Sequence, residues 1–181
     1  MLPKLLLKPK LTNPTKLTTL LQTINLSLSA PDLSTSTLQH SKAYIFLVPH
    51  ETKARRERIA GCVIAQRIST AMAVVPSQSS ATRQDSDSEK AQTAVVVDTD
   101  TNLCCSPEPL PTPMGISRLF VSSSHRRLGI AQSLLDAASA TFIHGCPLNP
   151  TTGQVAFSQP TGMGQTVMKS WGRGGVRVYE E

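Results

Sequence analysis

Gly115-Ile-Ser-Arg-Leu-Phe-Val-Ser-Ser-Ser-His-Arg-Arg-Leu-Gly-Ile-Ala131 reads as a short apolar strand, a polar turn with two arginines and a glycine, and the start of a helix. Ser117, Leu119 and Val121 share one face of that strand; Ile116, Arg118 and Phe120 share the other. After the turn, Ala131, Leu134, Leu135, Ala138 and Phe142 fall at helical spacing and form one apolar stripe, with Gln132 and Asp136 off it. A helix N-terminus leaves backbone N–H groups unpaired and carries partial positive charge. A diphosphate can be held there if no bulky side chain blocks the backbone. Gly129 and Ala131 are small enough to permit that approach, and Arg126 and Arg127 add charged donors. The alternative is an ordinary strand, loop and helix whose arginines are solvated. The segment alone leaves both open.

The spacing Arg126-x-x-Gly129-x-Ala131 is similar to the pyrophosphate loop of GNAT-type N-acetyltransferases. Four blocks carry a narrower resemblance. They are Arg58-Ile-Ala-Gly-Cys-Val-Ile-Ala-Gln-Arg67, Cys104-Cys-Ser-Pro-Glu-Pro109 leading to Gly115-Ile-Ser-Arg118, Arg126-Arg127 with Ile130-Ala131, and Val155-Ala-Phe-Ser-Gln-Pro-Thr161. The last is followed by a Gly-rich helix and Val176-Arg-Val-Tyr179. In this order they resemble the cohesion-establishment acetyltransferases, nuclear GNAT enzymes that acetylate the cohesin ring, and most resemble a fungal-like member. Gly-Ile-Ser-Arg together with Ala-Phe-Ser-x-Pro-Thr discriminates best.

The resemblance implies an α/β GNAT-type acetyltransferase fold, a mixed central sheet flanked by helices. It implies acetyl-CoA as co-substrate and lysines of a cohesin SMC subunit as acceptors, in the nucleus, with replication-fork proteins as further partners. Leu119, Phe120 and Val121 are expected to offer backbone N–H groups to the pantetheine arm. Arg126, Arg127, Leu128, Gly129, Ile130, Ala131 and Gln132 are expected around the pyrophosphate. Thr161 and Gly162 are expected to flank the pantetheine from the other side. The family's proposed catalytic pair maps to Ser117 and to Gln159, where many members have aspartate. Glutamine cannot accept a proton at neutral pH, so this position supplies no carboxylate base. Deprotonation then runs through a water chain or another acid. The substitution also keeps a second reading open, a weakly active or inactive GNAT-fold module that docks on cohesin or replication proteins.

Other candidates receive structural readings. His125 is expected on the phosphate side, His144 to support a helix C-terminus, and Tyr179 to be a packed edge-strand tyrosine rather than the acid that protonates the leaving thiolate. A strand serine such as Ser117 commonly bonds a neighbouring strand, and only the resemblance assigns it a functional role.

The bulk properties bound these readings. With 181 residues, 39% of them hydrophobic and 4% aromatic, the chain has room for one domain whose core rests on Leu, Ile, Val and Ala. Residues 1–60 carry 9 Lys and Arg against 3 Asp and Glu, whereas the remainder carries 9 against 9. The excess positive charge therefore sits at the N-terminal end. It predicts weak, salt-sensitive attraction to DNA or chromatin, without interleaved aromatics for base stacking. Leu5-Leu6-Leu7 is too short for a signal core, and no run reaches the ~20 apolar residues of a membrane span. Cys62, Cys104, Cys105 and Cys146 form no C-x-x-C pair, so no metal site is expected. The family carries an upstream zinc finger; its absence here reads as truncation or loss.

The domain reading is a flexible basic arm over 1–16, whose prolines oppose a helix, then an acetyltransferase domain over 17–181. Within it we expect a helix over Leu17–Leu28 beside the substrate groove and strands over Ala43–Val48 and Ile59–Ile68 joined across Pro49–Glu57. Gly61 is expected at a bulge or close approach. Ser77–Asp100 reads as a disordered insertion with at most a weak strand over Ala94–Val97. Pro107, Pro109, Pro111 and Pro113 read as a stiff extended approach. The Ala131–His144 helix is expected to be capped by Gly145. A strand over Val155–Ser158, a helix over Gly162–Trp171 and a strand over Val176–Tyr179 complete the order.

Overall fold

The computed structural model describes residues 4–7, 14–49, 57–75, 95–98, 103–158 and 160–180. In chain order the elements are β1 (Lys4–Leu7), α1 (Pro14–Leu28), α2 (Thr35–Gln39), β2 (Ser41–Pro49), β3 (Glu57–Arg67), β4 (Thr70–Val75), β5 (Val95–Asp98), β6 (Leu103–Pro111), β7 (Met114–Val121), α3 (Ile130–Thr141), β8 (Val155–Ser158), α4 (Gly162–Gly172) and β9 (Arg177–Tyr179). The chain divides into two compact units, Met1–Arg67 with Met114–Leu148, and Ile68–Pro113 with Asn149–Glu181.

The first unit is an antiparallel sheet in the order β1-β2-β3-β7. Alternation along β3 sorts its side chains between two faces. Cys62 and Ile64 are buried with Ile45 against Leu21 and Ile24 of α1. Leu21 and Ile24 lie three residues apart on one face of the predicted helix, and burying such a side chain contributes roughly 1.5–3 kcal/mol. Gly61 lies on the other face of β3. A Cβ at Gly61 would stand 3.0 Å from both Ile130 Cγ2 and Leu134 Cδ1, so the glycine lets α3 approach the sheet. It also lies beside a register shift, where Phe46 opposes Gly61 and Leu47 opposes Ile59. Both expectations for Gly61 hold at one position.

α3 buries Leu134, Leu135 and Ala138 of the expected stripe, together with Ile130. It ends earlier than predicted, at Thr141. Lys42 Nζ donates to the Phe142 carbonyl at 2.7 Å and so supplies the cation that the helix end lacks in sequence. His144 is exposed in the turn between Ile143 and Cys146, beyond the helix, so it does not serve the helix dipole as expected. Gly145 takes its left-handed φ of +72° in that same turn rather than at the helix cap.

The second unit is a mixed sheet in the order β8-β9-β4-β6-β5, parallel between β8 and β9 and antiparallel elsewhere. Parallel neighbours need a crossover, and α4 supplies it. Phe157 on β8 and Trp171 on α4 meet edge to face, with ring centroids 6.4 Å apart. Tyr179 is buried with Ala71 and Ala156, on a strand flanked by β8 and β4. It is a packed tyrosine, but not an edge-strand one.

Several elements differ from the sequence reading. Lys4–Leu7, within the stretch read as an arm, pairs with β2. β4 and the short α2 had not been expected. Val95–Asp98 forms β5 against β6, so the weak strand signal in the insertion corresponds to a real strand. The proline-rich approach is itself strand β6, paired to β4. Prolines at every second residue place their missing N–H groups on one side of the strand. Among the described residues β5 pairs β6 only as far as Cys105, so that side carries no ladder beside Pro107, Pro109 and Pro111. Residues 50–56, 76–94 and 99–102 lie outside the described residues, as do His50 and Gln159.

Candidate active site

In the first unit, β7 leads through a 3₁₀ turn at Ser123–His125 into the Arg126–Gly129 loop and α3. Its pairing with β3 runs from Val121 opposite Gly61 to Arg118 opposite Ile64, then steps to Ile116 opposite Ala65. Ser117 is thus the extra residue of a β-bulge, a feature that re-aims a side chain within a sheet. Its side chain is buried, and its Oγ donates to the Ile64 carbonyl at 3.3 Å. The bond to the neighbouring strand, expected for a structural serine, is therefore present at the position the resemblance marks as functional.

The same ladder sorts the three strand residues expected along the pantetheine. Ser122 N–H donates to the Ala60 carbonyl at 2.9 Å. With a period of two, the backbone groups of Phe120 also address β3, and those of Leu119 and Val121 point away from it. The Phe120 side chain packs on the α1 cluster. The backbone groups of Leu119 and Val121 are therefore turned to the side of β7 away from β3, and those of Phe120 are not. Its N–H is directed into the β3 ladder.

The loop after β7 turns sharply through two left-handed residues, Arg127 at φ +62° and Gly129 at φ +74°. For arginine that conformation costs roughly 1–2 kcal/mol, so the surrounding fold must hold it. His125 provides part of that hold. Its Nδ1 lies 2.8 Å from both Ser122 Oγ and Ser124 Oγ, and its Nε2 lies 3.5 Å from Arg58 Nη2. Guanidinium only donates, so Nε2 is the acceptor and Nδ1 carries the proton toward the serines. His125 is a post for the loop. Arg126 folds back so that its Nε donates to the Val121 carbonyl at 3.5 Å.

Gly129 is the N-cap of α3 and offers no side-chain cap. The first bond into the helix runs from Ser133 N–H to the Gly129 carbonyl at 3.0 Å, so the N–H groups of Ile130, Ala131 and Gln132 precede the helical ladder. A Cβ on Gly129 would meet nothing within 4 Å. The glycine is therefore needed for its φ rather than for its size. Arg126, Arg127, Leu128, Gly129 and Gln132 are exposed around this end, Leu128 at 67%. An uncapped helix N-terminus with exposed arginines before it fits a diphosphate.

The second unit presents another helix N-terminus. Thr161 caps α4, its Oγ1 accepting from Gly164 N–H at 3.3 Å, and Gln165 N–H reaches the Thr161 carbonyl at 2.7 Å. Thr161 and Gly162 are exposed, and a Cβ on Gly162 would meet nothing within 4 Å. The threonine hydroxyl oxygen accepts within the turn, and the turn's backbone is exposed.

Sequence reasoning missed Arg118 as a structural centre, although Gly-Ile-Ser-Arg was its most specific block. It also missed the capping role of Thr161, which a threonine directly ahead of a helix signals. Burial pushes the Cys62 thiol up to about 12 and raises that of Cys105 as well. Among the described residues no group of three or more His, Cys, Asp or Glu is placed to hold a metal ion, and no helix is long and apolar enough to cross a membrane.

Comparison with known proteins agrees with this geometry. The family profile described as ESCO1/2 acetyl-transferase matches residues 110–179, a span that contains β7, the loop, α3 and α4. N-acetyltransferase ECO1 of Yarrowia lipolytica is 48% identical over 71 residues, 39% of this chain and 25% of that protein. N-acetyltransferase ESCO2 of Danio rerio is 30% identical over 133 residues, 74% of this chain and 19% of that protein. The xEco2 acetyltransferase domain bound to a K105-CoA conjugate superposes with a TM-score of 0.71 at 26% identity, covering 99% of this chain and 93% of that one. The chain spans a quarter or less of the two curated relatives, and the similarity lies in their acetyltransferase part. It has the GNAT-like fold of mixed sheet and helices, and it belongs to the ESCO/Eco1 acetyltransferase family.

Proposed function

We propose that this chain is an acetyl-CoA-dependent lysine N-acetyltransferase of the nucleus, acting on a cohesin SMC subunit to establish sister chromatid cohesion. The observation that carries this reading is the uncapped N-terminus of α3 at Gly129, reached directly from β7. The relative bound to a K105-CoA conjugate supports a lysine acceptor. Replication-fork proteins are the proposed further partners, and the basic N-terminal end supplies weak attraction to DNA or chromatin.

Acetyl-CoA, when bound, supplies the thioester. The chain's own residues then have three tasks. The N–H groups of Ile130, Ala131 and Gln132, with Arg126 and Arg127, hold the diphosphate charge. Leu119 and Val121 align an extended arm along β7. Ser117, placed by its bulge, orients the reacting groups. Gln159 accepts no proton at neutral pH, so the acceptor amine loses its proton through a water chain or to another acid's carboxylate. Alignment can supply much of the rate, since well-oriented reactants gain up to about 7–11 kcal/mol over free encounter.

Isotope-labelled acetyl-CoA incubated with a cohesin SMC head tests the reading. The expected result is acetyl-lysine on the head, together with a cofactor-induced rise in the chain's thermal midpoint. A midpoint that stays fixed at saturating acetyl-CoA, with no label transferred, overturns it. Gln159 in place of the family's aspartate favours a second reading, a docking module that keeps the fold. Cofactor-independent association with cohesin and no transfer would select that one.

A further inference from the structure

A buried cation lies beside the Ser117 bulge. Arg118 is 5% exposed, and each of its three guanidinium nitrogens has an acceptor. Nη1 donates to the Ser117 carbonyl at 2.6 Å, Nη2 to the Pro31 carbonyl at 2.7 Å, and Nε to Asn25 Oδ1 at 3.2 Å. The Asn25 amide is also buried, and its Nδ2 donates to Asp32 Oδ1 at 2.9 Å. The orientation of that amide is forced, because only its oxygen can accept from guanidinium and only its nitrogen can donate to a carboxylate. Asp32 thus reaches the buried cation through one polarised amide.

The carbonyl that Nη1 satisfies belongs to the extra residue of the bulge. A bulged residue drops out of the ladder, and its backbone groups need another partner. Arg118 provides one from the next position along the strand. The other two nitrogens leave β7 for the last turn of α1 and the segment that follows it. We propose that Arg118 is a positioning residue that locks the Ser117 bulge and the Asn25–Asp32 segment into one rigid piece, so that the serine and the segment leading away from α1 hold a fixed geometry during acetyl transfer. The proposal rests on the acetyltransferase reading for its catalytic half. Its structural half stands on the hydrogen bonds alone.

Planar fork geometry is what the site requires. A lysine ammonium carries its three donors on one nitrogen and cannot reach acceptors that three separate guanidinium nitrogens address. The mildest informative change is therefore Arg118→Lys, which keeps the charge and removes the fork. Asn25→Leu is the second variant. It keeps a similar volume and deletes both ends of the amide bridge.

Two measurements on the full chain separate the halves. Amide hydrogen exchange without ligand should rise together at residues 116–119 and 29–33 in either variant, by about tenfold or more as local opening becomes easier. With acetyl-CoA and a cohesin SMC head, kcat should fall about tenfold for Arg118→Lys and a few-fold for Asn25→Leu, while the KM for acetyl-CoA stays within about twofold. A purely structural role would lower the thermal midpoint and leave kcat unchanged well below it. Exchange that rises in only one of the two segments, or parental kcat in a folded variant, overturns the proposal. Should Arg118→Lys not fold, Asn25→Leu decides it by the same two readings. If the parent chain neither binds acetyl-CoA nor turns over, the acetyltransferase reading fails, and exchange alone decides whether the lock exists.

Discussion

Each unit contains a strand that feeds a helix N-terminus, and the two ends are finished differently. After β8, Thr161 turns its hydroxyl onto the Gly164 N–H and closes α4 with its own side chain. After β7, Gly129 has no side chain to give, and α3 starts open. The approaches differ in the same sense. Two left-handed residues and a histidine post shape the loop before α3, whereas Thr161 enters α4 with φ −59° and no strained residue. A fold gains stability by capping a helix, so an uncapped end held open by strained backbone points to an outside partner for those N–H groups. The comparison sets an open α3 end, where we propose the diphosphate binds, against an α4 end capped by its own threonine.

The sharpest way to break this comparison is Gly129→Asp. A carboxylate at the open end would compete with a diphosphate for the same N–H groups. Losing charge-assisted hydrogen bonds worth about 2 kcal/mol would weaken acetyl-CoA binding about thirtyfold. Calorimetry giving the parental Kd would remove the pyrophosphate from α3. Next in size is the contrast between the side chains that precede the two junctions. Ser117→Ala should lower kcat about tenfold at nearly constant acetyl-CoA affinity, the pattern of an interaction used in the transition state. Gln159→Ala should cost less, because glutamine transfers no proton. Equal turnover for Ser117→Ala and the parent would make the serine structural, as its bond to Ile64 permits.

Thr161→Ala probes the closed end. Removing an N-cap costs about 1 kcal/mol, which for a chain of this size lowers the thermal midpoint by about 3 °C. Acetyl-CoA affinity should stay within about twofold of the parent, since the hydroxyl oxygen serves the Gly164 N–H. A large affinity loss with an unchanged midpoint would reverse the roles of the two ends. The smallest effect concerns the thiols, one buried in each unit. Cys62 keeps its proton in the fold up to about 12, against an ordinary 9.0. Its contribution is complete below pH 9.0 and is lost as pH rises toward 12, because only the unfolded chain releases the proton in that window. Stability measured across this range should fall less steeply in Cys62→Ala. At pH 8 an alkylating reagent should modify exposed Cys146 and spare Cys62 and Cys105. Graded denaturant would then show whether Cys62 and Cys105 become reactive together or whether one unit opens first.

The strand, loop and helix around Gly129 were legible because their signals are local. The apolar stripe of α3, the small residues at its start and the arginines before it all lie within one short stretch. The length of α3 was misjudged for an equally physical reason. Gly145 and Pro147 look like a helix stop, but Lys42, about a hundred positions away in sequence, completes the end of α3 at Phe142. The strand β4 went unseen because Thr70–Val75 has no turn signal setting it off from β3. The prolines of β6 hid a strand because their fitness for one depends on which side a neighbour pairs.

Sequence alone determined the family, the order of the principal helices and strands in the matched region, and the residue types available for diphosphate binding. Periodicity, small residues and charge are written locally and survive any packing. Only the tertiary structure decided that Ser117 sits in a bulge, that Phe120 turns its backbone to β3 while Leu119 and Val121 do not, and that Arg118 joins β7 to the end of α1. Each of these depends on register or on a bond between distant segments. A one-residue step in register changes every partner along a strand without changing any residue in it.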